Sequence, residues 1–147
     1  TVSAYSPQVI VDAYSGAGDT AIAFAKAGAR VTAIEVDNDA ARWCALRLPE
    51  GSVSLRARVE EALPRALPAD AVVLNPPRAG LDARVTETLE GIPQKPRVVA
   101  YVSCNPATLA RDVSRMPGYR IVSIVPFDMF PQTAHVETVC ELVPEGR

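Results

Sequence analysis

The chain has 147 residues, 48% of them hydrophobic and 22% charged, a composition that places it among globular proteins long enough to bury one sizeable core. A formal net charge of −2 and an isoelectric point near 5.4 argue against a segment that grips nucleic acid on its own, since that grip is mostly phosphate neutralisation by Lys and Arg. No apolar run reaches the roughly 18 residues of a membrane span. The three widely spaced cysteines, Cys44, Cys104 and Cys140, fit neither a zinc site nor a paired disulfide framework. Neither a membrane nor a metal is therefore expected. Unpaired thiols and the lack of a signal-like amino end point to a cytoplasmic location, and the opening on Thr1 without a Met is expected to mark a fragment or a trimmed chain.

In chain order, Val9-Ile-Val-Asp-Ala13 reads as a short buried strand, followed by the turn Tyr14-Ser-Gly-Ala-Gly18 and a helix over 19–27, with Gly28 in the C-cap position. Residues 31–35 form the next strand and 38–48 the next helix, closed by Pro49-Glu50-Gly51. A short strand over 53–56 and a weak helix near 60–63 come next. Ala71-Val-Val-Leu74 is a strand that stops at Asn75-Pro76-Pro77, and a capped helix over 82–90 ends at Gly91 and Pro93. A strand over 98–102 leads into a helix over 106–114, and strands over 120–126 and 136–143 finish the chain. The proline patches (Pro64 and Pro68, Pro93 and Pro96) are read as lying between elements. Strands alternating with helices mean right-handed crossovers and a mainly parallel sheet, and the last two strands, with no helix between them, require one antiparallel member.

Asp12-Ala-Tyr-Ser-Gly-Ala-Gly18, after a strand and before a helix, is a glycine-rich turn of the kind that lets a nucleotide-like cofactor approach the backbone. It lacks the third glycine of a dinucleotide fingerprint, and no Lys-Ser/Thr pair follows as in a phosphate loop. Glu35, at the end of the second strand, is placed to accept both hydroxyls of a ribose. A glycine turn and a ribose acid without a phosphate cradle point to S-adenosyl-L-methionine. The plainer reading, that Gly16 and Gly18 only tighten a turn, is opposed by the position of Glu35 and by the strand order. Asn75-Pro76-Pro77-Arg78 ends a strand on the ligand edge of a parallel sheet, where a side-chain amide can meet the edge of a flat base. Ser103-Cys104-Asn105-Pro106 ends another strand on the same edge. Asn105 is a good N-cap and Pro106 suits the first helical turn, so Cys104 sits beside the positive end of a helix dipole, a setting that suits a nucleophile.

Three blocks occur in order: Asn75-Pro-Pro-Arg-Ala-Gly-Leu81, Tyr101-Val-Ser-Cys-Asn-Pro-Ala-Thr-Leu-Ala-Arg-Asp112 and Asp128-Met-Phe-Pro-Gln-Thr-Ala-His-Val-Glu-Thr138. With them the chain from Val9 onward resembles the catalytic domain of the RNA uracil-C5 methyltransferases, which make 5-methyluridine in transfer and ribosomal RNA. The resemblance implies an α/β, Rossmann-like class I methyltransferase fold whose seven strands form a mainly parallel sheet with an antiparallel C-terminal strand. Residues 1–147 are then one catalytic domain. S-adenosyl-L-methionine is the implied cofactor, and an RNA substrate (tRNA or rRNA) is the implied partner, gripped mainly by regions outside this chain. By the same resemblance Cys104 is the nucleophile and Glu137 the general base. Asp12, Gly16 and Gly18 form the cofactor turn, Tyr14 lies against the cofactor, and Asp19 stands where the family has a cofactor-contacting Asn. Glu35 takes the ribose, Asn75 serves cofactor and base, and Arg78 orients the uracil or a phosphate. His135 is given a structural or base-loop role, and Cys44 and Cys140 are read as core thiols.

The chain departs from the family pattern in carrying Asn75 where Asp is usual and Arg58 where Asn or Asp tends to lie near the adenine. The family's upstream cofactor-binding Gln segment is expected before Thr1. Two other readings stand beside this one. An exocyclic-amine methylase of the Asn-Pro-Pro kind would use Asn75 and need neither Cys104 nor Glu137. A catalytically degraded domain that binds RNA or a protein partner is suggested by Asn75 and Arg58, and opposed by Cys104 and Glu137 each standing in a full motif.

Overall fold

In the computed structural model, which describes residues 2–127 and 136–146, the apolar runs become seven strands. These are β1 (Val9–Ala13), β2 (Arg30–Glu35), β3 (Val53–Arg56), β4 (Ala71–Leu74), β5 (Val98–Ser103), β6 (Tyr119–Phe127) and β7 (Glu137–Pro144). Between them lie α1 (Asp19–Lys26), α2 (Asn38–Arg47), α3 (Val59–Ala66), α4 (Ala83–Gly91) and α5 (Pro106–Ser114), and a 3-10 turn over Val2–Tyr5 precedes β1. The strands form one sheet in the order β3-β2-β1-β4-β5-β7-β6. All neighbours among β1 to β5 pair in parallel. β7 is inserted between β5 and β6 and runs antiparallel to both, so the expected reversed strand is the last one. The chain order switches between β1 and β4, and a crevice opens beyond the carboxyl ends of strands at such a point.

Strand periodicity sorts the core into two layers. Val11, Ala13, Ile34, Val72, Leu74, Val99 and Tyr101 face one side, where Leu63 of α3, Val85 and Leu89 of α4, and Leu109 of α5 cover them. Ile10, Val31, Ala33, Ala71, Val73, Val98 and Ala100 face the other, against Ala21 of α1 and Cys44 of α2. The central strands are buried on both faces, which is why they read as continuous apolar runs rather than alternating ones.

Local chemistry sets the helix starts. Asp37 caps α2 by accepting from the Ala40 N–H at 2.8 Å, and Asp82 caps α4 through the Arg84 N–H at 2.9 Å. Asn105 caps α5 through the Ala107 N–H at 3.1 Å, with Pro106 at the first position. α3 is longer than its sequence suggested, and Pro64 lies inside it rather than between elements. Val59, Ala62, Leu63 and Ala66 recur at helical spacing and pack on the core, while Pro64 is on the exposed side. There its missing N–H leaves no buried gap, so the packing of the apolar stripe outweighs the proline.

Asp70 ties the strand starts together. Its Oδ2 accepts from the Gln8 N–H at 2.8 Å and the Val9 N–H at 2.9 Å, and Arg97 Nη2 lies 3.5 Å from its Oδ1. The Val9 N–H bond, then that of Gln8 and the Arg97 charge, hold this carboxyl below the usual aspartate value. A carboxyl that is more acidic folded than unfolded contributes stability above its unfolded pKa, and loses it as pH falls toward the folded value. Asp70→Asn is therefore expected to be less stable than the parent at neutral pH, with the gap closing as pH drops below about 4. Urea unfolding at stepped pH checks this, and a gap that does not change with pH would contradict it.

Candidate functional site

At the switch point the carboxyl ends of β1, β2 and β4 and the start of α3 border a cleft of about 430 Å³. Its apolar wall is made by Tyr14, Ile34, Val36, Ala57 and Val59, and its polar groups come from Glu35, Arg58, Glu60 and Asn75. Four sequence-predicted residues, Tyr14, Glu35, Arg58 and Asn75, thus meet at one cleft.

The turn that floors this region is wound tightly. Tyr14 has φ +61°, Gly16 +53° and Gly18 +88°. A left-handed tyrosine costs about 1–2 kcal/mol, and such strain concentrates at functional sites. Gly18 could not be another residue here, because a Cβ would collide with the Cys44 sulfur of α2. Glu35 closes the turn from β2. One carboxylate oxygen accepts from the Gly16 N–H at 2.8 Å and the other from the Asp37 N–H at 2.8 Å. Each oxygen then keeps further lone-pair capacity toward the cleft.

Asp12 lies behind the turn, 2% exposed. It accepts from the Ala21 N–H, yet its Oδ2 and the Ser15 Oγ are the two buried side-chain atoms without a hydrogen-bond partner among the described residues. Two orphaned oxygens in one cofactor-type turn suit a ligand that brings donors. Asp19 is the first residue of α1. Its carboxylate is 84% exposed and accepts from Arg47 Nη2 at 2.7 Å, so it points to α2 rather than lining the cleft.

Cys104, Glu137 and Arg78 lie at the neighbouring strand ends. Cys104 is half-buried between β5 and α5. Its turn is stapled on both sides, for the Asn105 N–H donates to Ser103 Oγ at 3.1 Å and that hydroxyl donates to the Asn105 carbonyl at 2.9 Å. β5 and β7 pair from Val99↔Leu142 to Ser103↔Thr138. Cys104 directly follows the last β5 residue of this ladder, and Glu137, the first residue of β7, directly precedes Thr138. Arg78 follows the Pro-Pro turn, and its carbonyl accepts from Asn105 Nδ2 at 3.4 Å, so the loop after β4 touches the cysteine turn. Cys44 and Cys140 are buried, and burial pushes the Cys140 thiol up to about 11. His135 and the Phe-Pro-Gln-Thr stretch lie outside the described residues.

Among the cleft residues that the sequence does not single out are Val36 and Glu60. Val36 directly follows Glu35 and is 59% exposed; a valine just past an acid that ends a strand was the available signal. Glu60 accepts from Arg58 at 3.4 Å and Arg84 at 3.2 Å with its own side chain 8% exposed. A glutamate in a first helical turn reads only as a dipole complement, so nothing marked it. Among the described residues no group of three His, Cys, Asp or Glu could hold a metal ion, and no helix is long and apolar enough to cross a membrane.

Fold and cleft together define a Rossmann-like methyltransferase domain. Residues 57–143 match the family described as tRNA (uracil-5-)-methyltransferase, and the chain belongs to that family. An RNA methyltransferase of Prochlorococcus marinus is 42% identical over 142 residues, which are 90% of this chain and 33% of that protein. The structure of the Pyrococcus abyssi tRNA (uracil-54, C5)-methyltransferase, in complex with S-adenosyl-L-homocysteine, superimposes with a TM-score of 0.81 at 38% identity. The match covers 92% of this chain and 34% of that one. The magnesium protoporphyrin IX methyltransferase of Synechocystis, at 13% identity and a TM-score of 0.66, shares the fold alone. The chain spans about a third of the length of the curated relatives it matches.

Burial away from any counter-charge raises Asp12 from 3.8 to about 7, against the smaller opposing effect of the Ala21 N–H. An acid whose pKa rises on folding binds its proton more tightly in the folded state, so stability falls as pH climbs from the unfolded value to the folded one. In the ligand-free protein, Asp12→Asn is expected to remove a decline in stability between about pH 4 and pH 7. Chemical denaturation across that range checks it, and parallel profiles for the two proteins would refute it.

Proposed function

We propose that this chain is the methyl-transferring part of an S-adenosyl-L-methionine-dependent enzyme that methylates C5 of a uridine in tRNA or rRNA through a covalent cysteine adduct. The observation that supports this reading is the β5–β7 ladder, which ends at Ser103↔Thr138, so that Cys104 and Glu137 are the next residue of each strand at the carboxyl edge of the sheet. The chain's own residues suit the cofactor: Glu35 offers oxygens for ribose hydroxyls, and Asp12 Oδ2 and Ser15 Oγ, in the adjoining turn, have no hydrogen-bond partner among the described residues. Tyr14, Val36 and Val59 supply apolar surface. When bound, the cofactor supplies a methyl group on a sulfonium, an electrophile that needs no metal.

Uracil C5 is a weak nucleophile. The Cys104 thiolate adds to C6, forming a C–S bond and moving the C5=C6 electron pair into an enolate centred on C5 and O4. C5 so activated takes the methyl group. Glu137 then accepts the proton still held at C5, the double bond reforms, and the C6–S bond breaks to return the thiolate. Asn75, exposed on its Pro-Pro turn, and Arg78 orient the base, which must leave its stack to reach the thiol. The net charge of −2 supports an RNA grip supplied mainly by regions outside these residues, and the free thiols suit a cytoplasmic enzyme.

The placement of Asn75 at the cleft also suits transfer to an exocyclic amine, which would not require Cys104. The two are separated with the full-length protein, S-adenosyl-L-methionine and RNA containing 5-fluorouridine. Fluorine cannot leave C5 as a proton, so uracil-C5 chemistry stalls as a methylated RNA adduct on Cys104, read by intact and peptide mass. Cys104→Ala is expected to abolish both adduct and turnover. Methylation that survives in Cys104→Ala would overturn the covalent mechanism and favour the amine reading.

A further inference from the structure

The loop after β4 and the helix after Cys104 are joined by more than packing. Asp112 of α5 is fully buried, and its carboxylate is saturated with donors. Oδ2 accepts from the Leu81 N–H at 2.8 Å and the Tyr101 hydroxyl at 2.8 Å. Oδ1 accepts from Arg111 Nε at 2.9 Å, and Arg115 Nη1 lies 3.6 Å away. Arg111 spends its remaining reach on the same loop, donating from Nη2 to the Ala79 carbonyl at 2.8 Å. With the Asn105 bond to the Arg78 carbonyl, the backbone at three of the four positions from Arg78 to Leu81 is bonded to a side chain of the Asn105–Asp112 stretch. The fourth, Gly80, has φ +78°, and a Cβ on it would come within 2.5 Å of Asp112 Oδ2 and 2.6 Å of Arg111 Nη2. The loop is therefore pressed against the pair.

A buried carboxylate could be retained only to hold the fold, and its bond to Tyr101 serves that end. The Arg111 bond to the Ala79 carbonyl does not. The Arg111 side chain is 42% exposed and ends on a surface loop whose other end carries Asn75 and Pro77 into the cleft. Charge-assisted bonds hold such a loop in one geometry more firmly than neutral ones, and misplacing a reacting group by about 1 Å can cost 100-fold in rate.

Resting on the function proposed above, we infer that Arg111 and Asp112 are positioning residues that lock the base-holding loop, residues 75–81, to the Cys104 turn, so that the amide of Asn75 and the thiol address one and the same uracil. The pair touches neither base nor cofactor. It acts by fixing the distance between two elements that belong to different crossovers of the sheet.

The test uses the full-length protein, substrate RNA and S-adenosyl-L-methionine. Arg111→Gln, which cuts the Ala79 bond and the ion pair with Asp112 but leaves the Leu81 and Tyr101 bonds to Asp112, is expected to lower kcat by about 10- to 100-fold. Cofactor Kd should stay within about twofold, and the Cys104 adduct on 5-fluorouridine RNA should form at the correspondingly slower rate. Arg111→Lys, which keeps a cation able to reach the carbonyl, should recover part of that loss. Tyr101→Phe is the control, because it removes a donor from the same carboxylate without touching the loop; it should lower Tm while leaving kcat near the parent value. Unchanged kcat in Arg111→Gln, or rate losses in Arg111→Gln and Tyr101→Phe that simply track their losses in Tm, would overturn the inference. The parent protein is assayed alongside. If it forms no Cys104 adduct, the covalent function fails and this inference falls with it; an adduct in the parent together with an unaffected Arg111→Gln rejects the positioning role alone.

Discussion

The chemistry proposed for this domain depends on one ladder of hydrogen bonds, the antiparallel pairing of β7 with β5. Side chains alternate along a strand with a period of two, so a slip of one residue would move every side chain of β7 to the opposite face. The core on both faces forbids the slip. Leu142 and Cys140 face one layer, and they pair with Val99 and Tyr101 of the same layer. With those partners fixed, the ladder ends at Ser103↔Thr138 and the next residues, Cys104 and Glu137, leave it at the same end of the sheet, though more than thirty positions separate them in sequence. On the function proposed above, apolar packing far from the chemistry thus brings nucleophile and base to the same end of the sheet. A parallel β7 would have placed Glu137 at the other end of the sheet.

The cofactor half of the crevice works by a different economy. Tyr14 is held in a left-handed conformation, and Asp12 is buried with one oxygen unpartnered. Both features lower stability when considered alone. They persist because the surroundings over-determine them: Gly18 is packed on Cys44, and Glu35 stitches the turn to β2 through the Gly16 N–H. A site built in this way is shaped before its ligand arrives, which reduces the ordering cost of binding. The loop over 75–81 links the two halves: its start, at Asn75 and Pro77, borders the cleft, and its end is bonded to the helix behind Cys104.

Much of this was legible in the sequence, for identifiable reasons. Strands buried on both faces gave unbroken apolar runs, and Asn105-Pro106 marked the start of α5 because capping and proline chemistry act within a few residues. Glu35 and Asn75 were found because each ends a strand on the ligand edge. The misses share a cause as well. α3 was read short because a proline is a strong local signal, whereas the core contact that overrides it is tertiary. Glu60 carried no mark, since its place at the cleft depends on how α3 docks. Asp19 stands where the family has an Asn, and its ion pair with Arg47 joins it to a different helix, a contact no local pattern encodes. The insertion of β7 between β5 and β6 is likewise a matter of pairing, which no local pattern encodes.

The claim at the centre of this account is that Cys104 and Glu137 act in succession on one base. It is tested most directly by giving Glu137→Gln in the full-length protein unmodified uridine RNA and S-adenosyl-L-methionine, and weighing the products. The account predicts that the methyl group is transferred and the C5 proton then stays in place, so that a methylated RNA accumulates covalently on Cys104. Release of free 5-methyluridine RNA at the parent rate, or methylation with no adduct on Cys104, would contradict it.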